Sequence, residues 1–204
     1  MPIQFPKPML ASGGGRPFSN PDWLYEIKFD GYRCLAGIEL GQVELRTRNL
    51  ANCTGWYPEA ARALAAIGGG PHLLDGEVAC LDSIGRSDFE KLHTRSLKRR
   101  WYAGCDLVTY CAFDLLVHNG EDLMNEPLTV RKQRLAALLG GVSGVLLVGD
   151  LPAEAPLFQQ IVEPLKLEGL VAKRRDSRYV PGRVSADWLK IKRAGWNEGR
   201  TWRK

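Results

Sequence analysis

Residues 28–33 read Lys28-Phe29-Asp30-Gly31-Tyr32-Arg33, which places a nucleophilic amine, a carboxylate, a glycine that permits a turn and a guanidinium close together. The preceding stretch, Trp23-Leu24-Tyr25-Glu26-Ile27, has the alternation of a β-strand, so Glu26 and Lys28 are expected on the same face. A lysine close to an aspartate is usually a solvated surface pair that stabilises little. The stretch therefore predicts covalent nucleotide chemistry only if other segments supply its context.

Further segments supply that context. They are Leu74-Asp75-Gly76-Glu77-Val78, Ala112-Phe113-Asp114-Leu115-Leu116, Glu168-Gly169-Leu170-Val171-Ala172-Lys173 and Asp187-Trp188-Leu189-Lys190-Ile191-Lys192. Together with residues 28–33, and in this order, they resemble motifs I, III, IIIa, IV and V of the ATP-dependent DNA ligases. These ligases belong, with RNA ligases and mRNA capping enzymes, to the covalent nucleotidyltransferases. The resemblance runs from Pro8 to Lys192 and is nearest to the adenylation domain of bacterial end-joining ligases.

The resemblance implies both a fold and a reaction. The fold is the α+β nucleotidyltransferase (ATP-grasp-like) adenylation domain of DNA ligases, with mixed, mainly antiparallel sheets and outer helices. In the reaction, a lysine attacks the α-phosphate of ATP to give lysyl-AMP and pyrophosphate. The AMP then passes to the 5′-phosphate of a DNA nick, and the 3′-hydroxyl displaces it to seal the strand. The implied cofactors are ATP, with AMP as a covalent adduct, and Mg²⁺.

Hydrophobic periodicity and turn residues also predict an α+β arrangement. Strands are expected near residues 23–29, 32–39, 42–48, 107–117, 144–149, 169–174 and 187–193, with another carrying Glu77 and a hairpin turn at residues 40–42. Helices are expected at residues 58–67, 87–92, 130–139 and 157–165. The opening segment, with its prolines and the glycines at 13–15, is expected to be irregular, either mobile or close to the nucleotide.

By the motif match, Lys28 is the predicted nucleophile. An ordinary lysine is protonated at neutral pH, so nearby cations or desolvation must lower its pKa before it attacks. Lys190, Lys192, Arg33 and a bound metal are the candidates for that effect. The resemblance places Arg33 against the nucleotide sugar and gives Asp30 a part in ordering the metal site, although an aspartate before glycine is commonly a turn former.

Two acidic segments are the predicted metal ligands. Alternation puts Asp75 and Glu77 on one face of an apolar strand, where carboxylates need a cation or hydrogen-bond donors. From the residues alone, an exposed acidic face is the simpler interpretation for Asp75. The resemblance assigns Glu77 to the ribose or the hydration shell of the metal, and Glu168 to Mg²⁺, which accepts few protein oxygens and keeps its waters.

The base and the phosphates have their own predicted contacts. Phe113 would ordinarily be a core aromatic, but the resemblance makes it stack on adenine, with Val171 on the other side and hydrogen bonds near Glu26 and Ile27. Lys190 and Lys192 alternate with core residues and would neutralise the developing charge on the phosphates. An ordinary edge strand has the same pattern.

A further segment, Arg46-Thr47-Arg48-Asn49-Leu50, resembles motif Ia, whose arginine contacts phosphate. Arg48 fits this motif, whereas Leu50 stands where the family usually has glycine, which places the local turn in question. Two basic aromatic clusters, residues 98–102 and 173–179, could bind DNA phosphates or could be solvated loops.

Composition limits the function classes. Lys and Arg outnumber Asp and Glu by 28 to 23, a net charge of +5 that suits a polyanionic partner. The five cysteines contain no Cys-x-x-Cys pair and the three histidines are scattered, so reduced core cysteines and no zinc site are expected. With no apolar run of membrane length and no signal-peptide core, the sequence predicts a cytoplasmic protein without a membrane contact.

A chain of 204 residues, 45% of them hydrophobic, can bury one substantial core, and we predict a single adenylation domain over residues 1–204. Complete ligases of the resembled type continue after motif V into an OB-fold barrel bearing motif VI. Only a short basic tail follows Lys192 in this sequence, so no OB-fold domain is expected in it. The chain would be an excised domain or a minimal protein that depends on a separate OB-fold or end-binding protein. We expect it to bind AMP but to seal DNA nicks weakly when alone.

Two alternatives to a DNA ligase stay open at the level of sequence. One is a non-catalytic nucleotide- or DNA-end-binding module, which the missing barrel and Leu50 favour and the complete set of motif lysines and glutamates opposes. The other is an RNA ligase or a GTP-dependent capping-type nucleotidyltransferase. The segments at residues 168–173 and 188–192 are more similar to those of DNA ligases.

Overall fold

Two β-sheets pack against each other in the computed structural model, which describes residues 3–198. The first sheet has the spatial order β1 (Leu10–Ser12), β11 (Val184–Lys192), β10 (Gly169–Arg174), β2 (Trp23–Ile27) and β9 (Leu151–Pro152). The second has the order β4 (Gln42–Thr47), β3 (Tyr32–Glu39), β5 (His72–Ala79), β6 (Thr109–His118) and β7 (Glu121–Asp122), and β8 (Val145–Leu147) pairs with β6. The predicted basic tail follows Lys192, and its last residues, 199–204, lie outside the described residues.

The helices lie outside this pair of sheets. They are α1 (Pro58–Ala65), α2 (Phe89–Leu97) and α3 (Leu128–Leu139), and a 3₁₀ turn (Thr54–Trp56) and a π-helical turn (Phe158–Val162) accompany them. Proline at the first position starts α1, and the side chain of Asp88 caps α2 by accepting a hydrogen bond from the amide of Lys91. The longest described helix has 12 residues, whereas crossing a bilayer takes about 20.

Both sheets contribute one face to a shared core, because successive strand residues point to opposite sides. Leu24 and Trp188 of the first sheet pack with Leu35, Leu73 and Leu116 of the second. All three helices cover the outer face of the second sheet, and the π-helical turn covers that of the first. The five cysteines are free thiols and four of them are buried, as predicted.

The predicted fold class is confirmed: the arrangement is α+β, with outer helices and mainly antiparallel sheets. Among residues 3–198, two strand pairs are parallel, β1 with β11 and β6 with β8. The hairpin turn forms as predicted, with Leu40 and Gly41 at positive φ. The single adenylation domain over residues 1–204 stays a prediction, consistent with the core that the two sheets share.

Two local predictions were wrong. The helix predicted for residues 157–165 is only the short π-helical turn, because Pro164 lacks the amide that would continue a helix. The opening segment is not wholly irregular. Residues 10–12 form β1 against β11, and the buried Met9 donates its amide to the hydroxyl of Tyr179 at 3.0 Å.

Candidate active site

A pocket lies between the two sheets, with about 90 Å³ of space for water-sized groups. The first sheet contributes β2, β10 and β11 to its walls, and the second contributes β3, β5 and β6. Most of the residues predicted to bind the nucleotide line it, namely Glu26, Ile27, Lys28, Arg33, Glu77, Phe113, Val171 and Lys190. Residues distant in sequence therefore meet where the motif order predicted a single site.

Strand register explains why one wall of the pocket is polar. Val171 of β10 lies directly between Glu26 of β2 and Lys190 of β11. Side chains that are abreast in adjacent strands point to the same face, so all three face the pocket. The side chain of Ile27 points to the opposite face of β2, where it packs in the core beneath the π-helical turn. Ile27 therefore borders the pocket with its main chain.

The predicted nucleophile is held by a carboxylate. Lys28 Nζ lies 2.6 Å from Glu168 Oε2, and Lys192 Nζ lies 2.8 Å from Glu168 Oε1. The Glu168 side chain is 2% exposed and that of Lys28 is 19% exposed, so the amine, not the carboxylate, is open to a ligand. Each oxygen of Glu168 thus binds one of the two lysines.

Gly169 allows this approach. Its φ is +157°, and a Cβ at this position would lie 2.0 Å from the carbonyl oxygen of Ile191. Its carbonyl also accepts a 3.0 Å hydrogen bond from the amide of Lys28. A side chain here would push β10 away from β11 and displace Glu168 from the lysines.

Arg33 and Asp75 form a buried ion pair behind the pocket. Arg33 Nε and Nη2 lie 2.5 and 2.6 Å from the two oxygens of Asp75, which also accepts a 2.6 Å hydrogen bond from the hydroxyl of Tyr179. Asp75 is fully buried, so the exposed acidic face considered for it was wrong. The guanidinium carbon of Arg33 lies 4.6 Å from the ring centroid of Phe113 and so also borders the predicted adenine site.

Charges of both signs shift the protonation of the site. Burial raises the pKa of Glu77 to about 7; Lys28 and Arg33 oppose this rise, and Glu168 adds to it. Burial lowers the pKa of Lys190, and the charges of Lys28 and Lys192 lower it further. The site therefore contains a carboxyl that titrates near neutrality and a lysine that loses its proton more easily than usual.

Three further residues beside the predicted site, Lys132, Lys173 and Trp188, were not predicted from the sequence. Glu26 is ion-paired to Lys132 at 2.5 Å and to Lys173 at 2.6 Å. The buried ammonium of Lys173 also lies 4.0 Å from the ring centroid of Trp188 and 4.4 Å from that of Phe113. Lys173 and Trp188 lie on the same strand faces as Val171 and Lys190, so strand alternation could have predicted them. Lys132 lies on α3, and no pattern in the sequence around it predicts a contact with Glu26.

Other predicted residues lie outside the pocket wall. Among the described residues, Asp30 is buried next to the pocket but does not line it, and its amide donates to Ser87 Oγ at 2.9 Å. Arg48 lines a neighbouring cleft. The turn of motif Ia, which the replacement of glycine by Leu50 had placed in question, does form. Leu50 adopts a φ of +64°, a conformation that usually favours glycine.

Glu77 and Glu168 are the carboxylates that could hold a metal. Within residues 3–198, no group of three or more His, Cys, Asp or Glu side chains converges on one point. The charge of Glu168 raises the pKa of Glu77, and a divalent cation between them would relieve that repulsion. Mg²⁺ is commonly bound by one or two carboxylates together with phosphate oxygens and water, so this donor set fits it.

The geometry can be compared with known proteins. A family model described as the ATP-dependent DNA ligase domain matches residues 8–192. The chain belongs to this family. Its relatives include bacterial non-homologous end joining proteins named LigD.

One relative is the multifunctional non-homologous end joining protein LigD of Mycolicibacterium smegmatis, 35% identical over 202 residues, which are 94% of this chain and 25% of that protein. The LigD of Pseudomonas aeruginosa is 40% identical over 188 residues, 91% of this chain and 22% of that protein. The chain therefore spans about a quarter of the length of these curated relatives.

Solved structures agree with this assignment. The ligase domain of Mycobacterium tuberculosis LigD is 33% identical, with a TM-score of 0.81 over 93% of this chain and 61% of that one. A mycobacterial DNA ligase D complexed with ATP and MES has a TM-score of 0.79 at 33% identity, over 93% of this chain and 62% of that one. The ATP-dependent DNA ligase family and the adenylation-domain fold predicted from the motifs are both confirmed.

Proposed function

We propose that this chain forms a covalent lysyl-AMP on Lys28 from ATP and passes the AMP to the 5′-phosphate of a DNA nick. The observation that supports this most strongly is the amine of Lys28, which faces the pocket between the sheets and is held by Glu168. A mycobacterial relative has been solved with ATP, which supports the choice of nucleotide. Membership of the DNA ligase family favours DNA over the RNA-ligase and capping alternatives.

The inner end of the pocket suits adenine. Glu26 supplies an acceptor for the exocyclic amino group, and the ammonium of Lys173 supplies a donor beside it for a ring nitrogen. Phe113 and Val171 line the pocket from opposite sheets and would contact the two faces of the base. Guanine presents an acceptor where adenine presents its amino group, so it would face the carboxylate of Glu26 with the wrong polarity.

At the other end, the chemistry takes place at Lys28. The ion pair with Glu168 must open before the amine can attack, and Glu168 is the nearest group to accept the proton that the amine loses. The bond from Nζ to the α-phosphorus forms as the bond from that phosphorus to the bridging oxygen breaks, and pyrophosphate leaves with the electron pair. Lys190 and Lys192 would stabilise the charge that develops on these oxygens.

Mg²⁺ is part of the proposal. When bound, it would neutralise charge on the phosphate oxygens. Glu168 and Glu77 would hold it. Asp30 remains predicted to help order the metal site. The role of Arg33 is to position Phe113 and the nucleotide sugar, because its charge is already matched by Asp75.

Intact-mass spectrometry of the 204-residue protein, before and after incubation with ATP and Mg²⁺, tests the proposal. We expect an AMP adduct on the unchanged protein, no adduct on Lys28→Ala, and a much weaker adduct when GTP replaces ATP. An adduct that persists in Lys28→Ala would refute the assignment of the nucleophile. A protein that binds ATP but never forms the adduct would be the non-catalytic binding module.

Nick sealing is a separate proposal. The chain covers 61% and 62% of the two solved ligase structures compared with it, so a part of those enzymes lies beyond the matched region. We propose that a separate OB-fold or end-binding protein raises sealing when it is added to these 204 residues. Efficient sealing of nicked duplex by the 204 residues alone would contradict this dependence.

A further inference from the structure

Lys192 has a second contact, with a residue that lies outside the ligase motifs. Its ammonium lies 2.8 Å from Glu168 Oε1 and 3.6 Å from the ring centroid of Trp196. The other oxygen of Glu168 holds Lys28, so Trp196 is linked to the predicted nucleophile through one lysine and one carboxylate. The match to the ligase family ends at Lys192, so family membership gives Trp196 no role.

The segment that carries Trp196 is anchored to the residues around Glu168. The amide of Arg193 donates to the carbonyl of Glu168 at 2.9 Å, and Arg193 Nε donates to the carbonyl of Leu167 at 3.1 Å. The amide of Trp196 then donates to the carbonyl of Arg193 at 3.3 Å, which closes a turn directly after β11. The indole is therefore placed over Lys192 by main-chain contacts at the site itself.

The ion pair with Glu168 is a weak restraint on Lys192 when it stands alone. The side chain of Lys192 is 33% exposed, and lysine carries its charge on a long, flexible stem. A ligand that engages Glu168 would also release Lys192 from it. The contact with the indole does not depend on Glu168, and an indole face is the aromatic surface that attracts a cation most strongly.

The held ammonium can still bind a ligand. A lysine ammonium has three N–H donors; Glu168 takes one and the ring of Trp196 faces another, so one remains. Lys192 lies two residues after Lys190 on β11, and alternation places both side chains on the face that borders the nucleotide pocket. The free donor is therefore available to a phosphate oxygen next to Lys28.

We propose that Trp196 is a positioning residue for ATP: its indole holds the ammonium of Lys192 where the phosphates of the nucleotide enter. The inference rests on the proposed function, in which Lys192 stabilises charge on the phosphates. It extends the site past motif V to the turn that follows β11.

The first test compares ligands with and without phosphates. Trp196→Leu removes the ring and keeps an apolar side chain, whereas Trp196→Phe keeps a ring. Calorimetry without Mg²⁺ measures binding, so no adduct is needed. We expect Trp196→Leu to weaken ATP binding about threefold to tenfold and Trp196→Phe to stay within about twofold of the unchanged protein. Adenosine affinity should not change, because adenosine has no phosphate for Lys192 to contact.

A double-mutant cycle with Lys192→Met separates positioning from packing. Lys192→Met should itself weaken ATP binding, because a charged contact to phosphate is lost. In the Lys192→Met protein, Trp196→Leu should change ATP affinity by less than about twofold, since its partner is already absent. With Mg²⁺ and saturating ATP, Trp196→Leu should slow lysyl-AMP formation about threefold to tenfold, and this loss should likewise disappear in the Lys192→Met protein.

Trp101→Leu is the matched control. Trp101 is 52% exposed and lines a separate cleft with Pro58 and Arg62. The same change of residue type there should leave ATP affinity and the rate of lysyl-AMP formation as in the unchanged protein. Thermal melting checks that each variant is folded at the temperature of the assays.

The outcomes separate this inference from the proposed function. The absence of lysyl-AMP in the unchanged protein would overturn the proposed function, whereas the calorimetric cycle tests Trp196 without any adduct. Equal ATP affinity in the unchanged protein and Trp196→Leu would overturn the positioning proposal alone. An equal loss of affinity for adenosine, or an equal loss in the Lys192→Met protein, would also overturn it, because Trp196 would then support the fold and not Lys192.

Discussion

Replacing Glu77 with glutamine is expected to make the folded protein more stable above neutral pH, although it removes a residue of the proposed active site. Burial raises the pKa of Glu77 from 4.5 to about 7, despite the opposing charges of Lys28 and Arg33. Each pH unit of this difference corresponds to about 1.4 kcal/mol, so the ionised carboxylate destabilises the fold by about 3 kcal/mol. Glutamine has nearly the same shape and no charge, and it should recover about 2–3 kcal/mol of this.

The pH at which the gain appears follows from linkage. Because the pKa of Glu77 is higher in the folded state, the protonated carboxyl favours folding. That contribution is complete below pH 4.5 and is lost as the pH rises through about 7. Glu77→Gln and the unchanged protein should therefore be almost equally stable at about pH 4 and should differ most at about pH 8.

Urea unfolding at both pH values, in buffer with a chelator, measures this difference. The chelator is needed because a bound cation would lower the pKa of Glu77. Glu90→Gln, an exposed change on α2, is the control and should alter the free energy of unfolding by less than about 0.5 kcal/mol. A stability difference between Glu77→Gln and the unchanged protein that is the same at both pH values would refute the reasoning.

Three further changes test the pocket and its frame. Lys132→Met removes one partner of the buried Glu26, so it should lower the free energy of unfolding by about 2–3 kcal/mol and raise the KM for ATP. Lys132→Arg keeps the charge and should retain most of the stability and most of the affinity for ATP. An unchanged KM in Lys132→Met would argue against a positioning role for Lys132. Phe113→Leu keeps an apolar side chain but loses the ring, so the KM for ATP in lysyl-AMP formation should rise about tenfold; a KM within about twofold of the original would exclude stacking on the base. Gly31→Ala would place a Cβ 2.2 Å from the carbonyl oxygen of Val78. This clash should destabilise the fold by about 2 kcal/mol or more, as measured by thermal melting. A melting temperature unchanged within about 1 °C would show that the backbone at Gly31 can move to accommodate the methyl group.

Local patterns predicted most of the pocket wall. A period of two places Glu26, Val171 and Lys190 on one face of their strands, and the register of β2, β10 and β11 brings those faces together. The motif order then predicts that Lys28 and Phe113 join them. These residues could be found because strand alternation is local and the chemistry of each side chain is specific.

Long-range ion pairs could not be predicted in the same way. Glu168 binds both Lys28 and Lys192, and the first of these pairs spans 140 residues. Lys132 reaches Glu26 only because α3 packs beside β6 and β8. Such contacts depend on where the helices pack and on the order of the strands in the sheets, and short sequence patterns predict neither. The strained positions of Leu50 and Arg99 were likewise unpredicted, since residue type favours neither.

The position of the covalent adduct tests the central claim most directly. The protein should be incubated with ATP and Mg²⁺, digested, and its peptides mapped by mass spectrometry under conditions that preserve the bond between lysine and phosphate. We predict that AMP is attached to the peptide containing Lys28 and that adding nicked duplex removes it. AMP attached to Lys190 or Lys192 instead, or no attached AMP at all, would contradict the account.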